Sequence, residues 1–461
     1  MSKFPDIEVL EDTESLAHYG RDWTRFWEPA PCRIAFPRSN EDVVELVRWA
    51  RAAGAKLVPS GGRTGLSGGA VAPAGEVVVS LEKMRALIEL DTTEPSLSVQ
   101  AGMVVGEVQR QAAEAGLFYP VDWAAAASSQ IGGSVATNAG GIRVLRYGMT
   151  RRWVRGLTVV DGRGDVHRLN RGLIKNNAGP DLCQLMIGSE GVLGIITEVS
   201  LGLIAPPPPQ SLLLLAFADI GAMMPTLARL QRELTLSAFE FFDAASVRHV
   251  AAATGLNFPL SEPAPCYAVV EFDDPDETMQ DAALAAFGDL VEAGQVVDGL
   301  LSQSSAQLAE LWRWREAISE SIAPHTPYKN DLSVRISRVP AFLAALDELV
   351  RQRYPAFEVV WFGHIGDGNL HMNVLRPPEM GLSEFRTACD SLSPAVFEIT
   401  RAHSGSISAE HGVGLLKRDY LHYSRSAAEI ELLRGLRRLF DPDELFNPGK
   451  VVLPTGANLV S

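Results

Sequence analysis

The sequence predicts an α+β chain of two domains, and three observations carry that expectation. Short β-rich runs alternate with amphipathic helical stretches from about residue 30 to 205; four consecutive prolines, 206–209, then break the pattern; and a second set of strands and helices follows. At 461 residues there is material for about two or three packed units.

In chain order, the first domain reads as strands at 56–60 (KLVPS), 77–81 (VVVSL), 97–102 (LSVQAG), 157–161 (LTVVD) and 194–204 (GIITEVSLGLI). Between them lie helices at 41–54 and 104–116, the first with Asn40 as its expected N-cap, acids in its first turn and Gly54 at its C-terminal end. Proline neither donates to a sheet nor continues a helix, so the 206–209 run reads as a stiff connector and sets a domain boundary. Beyond it, strands at 212–217 (LLLLAF) and 267–272 (YAVVEF) flank a helical segment, and a similar unit spans 332–374. The helix of AAEIELLRGLRRLFDP stops at Pro442. The expected division is 1–205, 206–425, and a helical segment over 426–461 that returns to the first domain.

Composition narrows the function. Hydrophobic residues at 46% and charged residues at 21% exclude a disordered or fibrous chain. A net charge of −15 repels a phosphate backbone, so no nucleic-acid partner is expected. Cys32, Cys183, Cys266 and Cys389 form no C-x-x-C pair and propose neither a zinc ribbon nor a disulfide framework, which fits a reducing cytoplasm. The acidic start, MSKFPDIEVLEDTESL, lacks the pattern of a signal peptide, and apolar runs such as 212–217 fall far short of a membrane helix.

Three glycine-rich clusters stand out. Residues 58–70 read VPSGGRTGLSGGA directly after an expected strand, 128–148 read SSQIGGSVATNAGGIRVLRYG, and 187–198 read IGSEGVLGIITE. Glycines leave backbone N–H groups uncovered and form concave nests for phosphate oxygens, and small residues let a flat ring system approach the backbone. One such loop is weak evidence; three in one domain indicate a long cofactor. Neither G-x-G-x-x-G nor G-x-x-x-x-G-K-[ST] occurs, which removes the main support for a Rossmann or Walker A reading.

The order of these clusters resembles the flavin-binding domain of the vanillyl-alcohol oxidase, or PCMH-type, flavoenzyme family. The resemblance implies FAD, with its pyrophosphate in the loop of Ser60, Gly61, Gly62, Arg63, Thr64 and Gly65, and further contacts from Ser129, Gly132, Gly133, Asn138, Gly140, Glu190, Gly194 and Ile196. No His or Cys occurs in the first two clusters to tether a flavin, so non-covalent FAD is expected.

The second half carries W-F-G-H-I-G-D-G-N-L-H-M-N and S-G-S-I-S-A-E-H-G-V-G. His364 and His371 flank a tight turn, and with Glu410 they make a two-His, one-carboxylate set that leaves positions open for substrate; zinc, manganese and iron all suit such ligands. His411 is the candidate base, since an imidazole near its ordinary pKa of about 6.5 accepts a hydroxyl proton that a Lewis-acid metal has loosened. Here the chain resembles the D-2-hydroxyacid dehydrogenases of that flavoenzyme family in its H-x-x-x-x-x-x-H turn, E-H-G motif and N-P-G-K ending at Asn447 to Lys450. What the resemblance implies is a divalent metal on His364, His371 and Glu410, zinc first and manganese as the alternative, with His411 as base. It also points to Arg315, Ser319, Lys329 and Asn373 as substrate contacts.

A guanidinium grips a carboxylate bidentately. With the metal and Asn373 on the C1 carboxylate and hydroxyl, Arg315 and Lys329 are surplus for lactate and suit a distal carboxylate, which favours D-2-hydroxyglutarate, with D-malate beside it. The competing expectations are a D-lactate or glycolate dehydrogenase, an oxidase that reduces O₂ directly, and a non-catalytic flavin-binding module. Arg315 has an alternative partner in Glu316 and Lys329 in Asp331. An external electron acceptor, an electron-transfer flavoprotein or a quinone, completes the expected partners, and a homodimer is the class-level expectation.

Overall fold

The computed structural model describes residues 3–24 and 26–453. It resolves into two compact units, the first taking in the described residues up to Gly140, Gly148–Pro206 and those from Glu410 onward, the second Gly141–Tyr147 and Pro207–Ala409.

The first unit holds two sheets. Four strands lie in the order Glu8–Leu10, Arg33–Phe36, Val77–Ser80, Leu57–Ser60, the last three mutually parallel. Five antiparallel strands lie in the order Leu87–Asp91, Ser96–Gln100, Ile195–Gly202, Val154–Val160, Val166–Leu169. Alternation sorts the faces of the first sheet: Ala35, Leu57, Val77 and Val79 join the main core, whereas Ile34, Phe36, Val58 and Val78 form a small cluster with Leu10, Leu16 and Tyr19. Helix Asn40–Ala53 buries Val43, Leu46, Val47 and Ala50 in the main core, and Gly54 closes it at φ +67. Its N-cap is Ser39 rather than Asn40: the Ser39 hydroxyl accepts the Asp42 amide at 3.1 Å, while Asn40 enters the helix and donates to Glu198 at 2.9 Å.

The segment that follows the last described helix is anchored in this unit. After helix Ala427–Phe440, which starts in a capping box at Ser426, the Leu57 amide donates to Leu445 O (2.8 Å) and the Asn447 amide to Leu57 O (2.9 Å). Buried Arg437 donates to the carbonyls of Phe446 and Asn447, and buried Lys450 to Gly69 O (2.8 Å), Val71 O (2.7 Å) and Asn447 Oδ1 (2.9 Å).

The second unit is built on seven antiparallel strands in the order Asp298–Leu301, Gln210–Phe217, Cys266–Asp273, Leu236–Asp243, Glu358–Gly363, Asn369–Leu375, Tyr328–Ser333. LLLLAF lies buried on both faces, which is why it reads as a continuous apolar run rather than an alternating one. Helices Ala244–Thr254, Ser305–Glu316 and Ile318–Ile322 cover one face through Val250, Leu311, Trp312, Trp314, Ile318 and Ile322. Gly141–Tyr147 lies in the second half of the second glycine cluster but is tied to this sheet: Arg143 grips Glu271 through Nε (2.8 Å) and Nη2 (3.1 Å), and Arg146 pairs with Asp273. Among the described residues no helix is long and apolar enough to cross a membrane.

Candidate active site

In the first unit, strand Leu57–Ser60 delivers the first glycine cluster. Ser60 stands across from Ser80 on the neighbouring strand, and both hydroxyls are buried with no hydrogen-bond partner among the described residues; the buried Gln130 Oε1 is equally unpartnered. The first two clusters meet here. Gly62 lies so close to the Ser128 carbonyl that a Cβ would overlap it, and Thr64 Oγ1 is 2.8 Å from Ser129 Oγ, which also accepts from Trp123 at 3.2 Å. Arg63 adopts φ +58, and its guanidinium, depressed by burial, lies 4.4 Å over the Tyr19 ring. The Gly65 carbonyl accepts the Trp23 amide at 3.1 Å.

The second cluster forms a short helix, Ile131–Thr137, where sequence reasoning saw only small residues. Gly132 donates to Ala101 O at 2.8 Å, and a Cβ on Gly61 would meet the Gln130 side chain at 3.5 Å, whereas one on Gly133 would meet nothing within 4 Å. Asn138 ends the helix at φ +52 and accepts the Arg151 amide at 2.9 Å; Gly140 follows, buried. Bare backbone, open space at Gly133 and orphaned buried polar atoms at Ser60, Ser80 and Gln130 together fit a bound dinucleotide.

The third cluster serves differently. Gly194 packs against Val159 and Val160, and Ile196 pairs with Val159 in the core. Glu190, at φ +52, directs its buried carboxylate at the amides of Val413 (2.7 Å) and Gly414 (2.8 Å); burial raises its pKa and these two donors lower it. Its side chain therefore brackets the loop that carries Glu410 and His411. Gly412, at φ +81, sits against that carboxylate, where a Cβ would be 2.9–3.0 Å from all three of its atoms.

In the second unit the register gathers the remaining candidates. Across Asn369–Leu375 and its neighbours, Asp331 and Phe362 oppose His371, while Lys329 and Val360 oppose Asn373. With a period of two, His371, Asn373, Asp331 and Lys329 share one face at the sheet edge. The turn from His364 to Asn369 brings the two imidazoles to 5.3 Å between ring centres, nearly perpendicular. His364 Nδ1 is 2.8 Å from Glu240 Oε1, the pairing that fixes the tautomer of a metal-ligating imidazole. His371 Nδ1 is 3.6 Å from Asp331 Oδ1. Asp331 also accepts from Asn369 (2.8 Å) and from the amide of Ala409 (3.0 Å), the residue one peptide bond before Glu410. His364, His371 and Asp331, which sequence reasoning passed over as a ligand, belong to the second unit, and Glu410 and His411 open the last segment of the first. Imidazoles and carboxylates are donors that suit zinc or manganese.

The substrate candidates divide. Arg315 on helix Ser305–Glu316 is buried and ion-paired not to Glu316 but to Glu240 Oε2 at 2.8 Å, with its guanidinium 4.8 Å over Phe362. Asn373 is buried and donates to Val360 O and His371 O, both at 3.2 Å. Lys329 has no ion-pair partner among the described residues, since Asp331 is engaged elsewhere; it reaches solvent, yet the protein crowded around it lowers its ammonium's pKa by desolvation. Ser319 is exposed on Ile318–Ile322.

Residues 206–451 match the profile described as FAD linked oxidases, C-terminal domain, and residues 31–170 match an FAD binding domain. The chain is 52% identical over 447 residues to a D-2-hydroxyglutarate dehydrogenase of Xanthomonas citri pv. viticola, covering 97% of this chain and 94% of that one. A protein of the same name from Stutzerimonas stutzeri is 50% identical, covering 96% of each. In fold it is similar to p-cresol methylhydroxylase with substrate bound (TM-score 0.73, 15% identity, 98% of this chain and 95% of that one) and to alkyldihydroxyacetonephosphate synthase (TM-score 0.71, 16% identity, 97% and 84%).

Proposed function

The chain belongs to the FAD-linked oxidase family, and on that premise we propose that it oxidises D-2-hydroxyglutarate to 2-oxoglutarate. The observation that carries the substrate class is the shared sheet face: unpaired Lys329 stands across from Asn373, two residues along the strand from His371. The relatives' names support the same acid. Lys329 and Arg315 hold the distal carboxylate, and Asn373 orients the C1 end. His411 takes the hydroxyl proton on its imidazole. Bound FAD would supply the acceptor for the hydride equivalent from C2, and a divalent ion, zinc or manganese, would supply Lewis-acid polarisation of the hydroxyl. His364, His371 and Glu410 hold that ion, with Asp331 beside them. Ser60 to Gly65, Ser129, Gly132, Gly133, Asn138 and Gly140 hold the flavin without a covalent bond, over a flavin-binding domain of 1–205. A substrate and metal domain of 206–425 and a returning segment of 426–461 complete the division.

Electrons leave to a separate acceptor, an electron-transfer flavoprotein or a quinone, and the enzyme works as a homodimer. Four free thiols support a reducing, cytoplasmic setting. The test is anaerobic bleaching of the bound flavin by D-2-hydroxyglutarate, D-malate, D-lactate and their L-forms, in wild type and Lys329→Ala. Loss of a charge-assisted contact predicts a fall of about 10–100-fold in kcat/KM for the D-dicarboxylates and little change for D-lactate. Preference for D-lactate with an unaffected variant moves the function to the monocarboxylates.

A further inference from the structure

Glu240 is a charged residue in the middle of an apolar strand, LSAFEFFD, flanked on both sides by other strands of the sheet, and it is 1% exposed. A carboxylate so placed is retained only where partners satisfy it. Its two oxygens face different residues: Oε1 lies 2.8 Å from His364 Nδ1, and Oε2 forms an ion pair with Arg315 Nη2 at 2.8 Å without hydrogen-bond alignment.

We propose that Glu240 is a shared positioning residue that ties metal binding through His364 to recognition of the substrate's distal carboxylate through Arg315. The inference rests on the reading of those two residues given above. Facing a carboxylate oxygen at 2.8 Å, the His364 ring is held by its Nδ1, which leaves Nε2 as the nitrogen free to face a metal. On the other side, Glu240 occupies Nη2 only, and Phe362 supports the guanidinium 4.8 Å below its face. Arg315 Nε is buried with no hydrogen-bond partner among the described residues, so the fork retains a donor for an incoming anion. Phe362 also packs 5.1 Å from the His371 ring, which places one aromatic wall against both the guanidinium and the second imidazole.

Glutamine at this position has one acceptor and one NH₂ group. It can accept from His364 or from Arg315, and the other partner then faces donor against donor. Glu240→Gln is therefore expected to lower affinity for zinc about 10–100-fold, the usual effect of losing such a support, while FAD stays bound. It is also expected to reduce the preference for D-2-hydroxyglutarate over D-lactate by about 10-fold. The assays are zinc competition against a chromogenic chelator, the FAD-to-protein ratio, and anaerobic flavin bleaching with each acid. A residue that merely compensates a buried arginine for folding would leave zinc affinity unmoved. Should Glu240→Gln fold poorly, Glu240→Asp serves: the shortened carboxylate is expected to weaken zinc while FAD stays bound. Unchanged zinc affinity with unchanged selectivity overturns the proposal. If wild type bleaches with no D-hydroxydicarboxylate, the substrate reading fails by itself, and the zinc measurement still decides the link to His364.

Discussion

Replacing Gly412 by alanine tests the bracket that holds the E-H-G loop. Two costs are set by the structure. At φ +81 an alanine sits in left-handed space, at about 1–2 kcal/mol. Its Cβ would also stand 2.9–3.0 Å from the Glu190 carboxylate, some half an ångström inside ordinary contact. Relief requires the carboxylate to retreat from the Val413 and Gly414 amides, which it now accepts at 2.7 and 2.8 Å. Hydrogen bonds to a charged group contribute about 1.5–3 kcal/mol each, so losing roughly half of the pair adds about 2 kcal/mol. The sum, about 3–4 kcal/mol, falls on residues directly after His411. A displacement well under 1 Å at such a loop costs on the order of 10–100-fold in rate. Gly412→Ala is thus expected to retain FAD, melt at lower temperature and slow anaerobic flavin reduction by that factor. Wild-type reduction with an unshifted melting temperature would refute the bracket.

Two further outcomes follow from buried groups. Burial pushes the Lys450 ammonium down from 10.5 to about 7, so between those pH values the unfolded chain binds more protons than the folded one, and stability rises with pH by up to about 1.4 kcal/mol per unit. Lys450→Met should flatten that rise in urea melts run from pH 7 to 10; parallel curves for the two proteins would contradict it. Cys183, Cys266 and Cys389 are buried with thiols pushed up to about 12, leaving about one thiolate in ten thousand at pH 8, whereas Cys32 is exposed. Ellman's reagent should therefore count one fast thiol in the native protein and four in guanidinium, and two or more fast native thiols would show the burial account to be wrong.

Local chemistry made much of the first unit legible. The strands of the glycine-rich half, the helix ended by Gly54 and the capped helix before Pro442 follow from residues within a few positions of one another. The N-cap slipped by one residue because Ser39 and Asn40 are both good caps, and a contact with Glu198, far along the chain, recruits Asn40. Long-range pairing explains what was not readable. The resemblance implies Glu190 as a flavin contact; its hydrogen bonds to the amides of Val413 and Gly414, more than 220 residues away, carried no local signal. Glu240 and Glu271 each carried a signal, a lone acid inside an apolar strand, but the strand does not say which cation answers it. Asp331 looked like a partner for Lys329 because they are two residues apart; the pleat puts both on one face, where Asn369 and Ala409 claim the carboxylate.

The anchoring of residues 445–450 against Leu57 and its neighbours has a consequence for the order in which the molecule is made. Both pieces of the second unit, Gly141–Tyr147 and Pro207–Ala409, are inserted between parts of the first, so a ribosome completes residues 207–409 before it produces the segment that pairs with strand Leu57–Ser60. Until Asn447 and Lys450 emerge from the exit tunnel, the carbonyls of Leu57, Gly69 and Val71 lack these native donors. The cradle for the cofactor is encoded early and completed only after the second unit has been made.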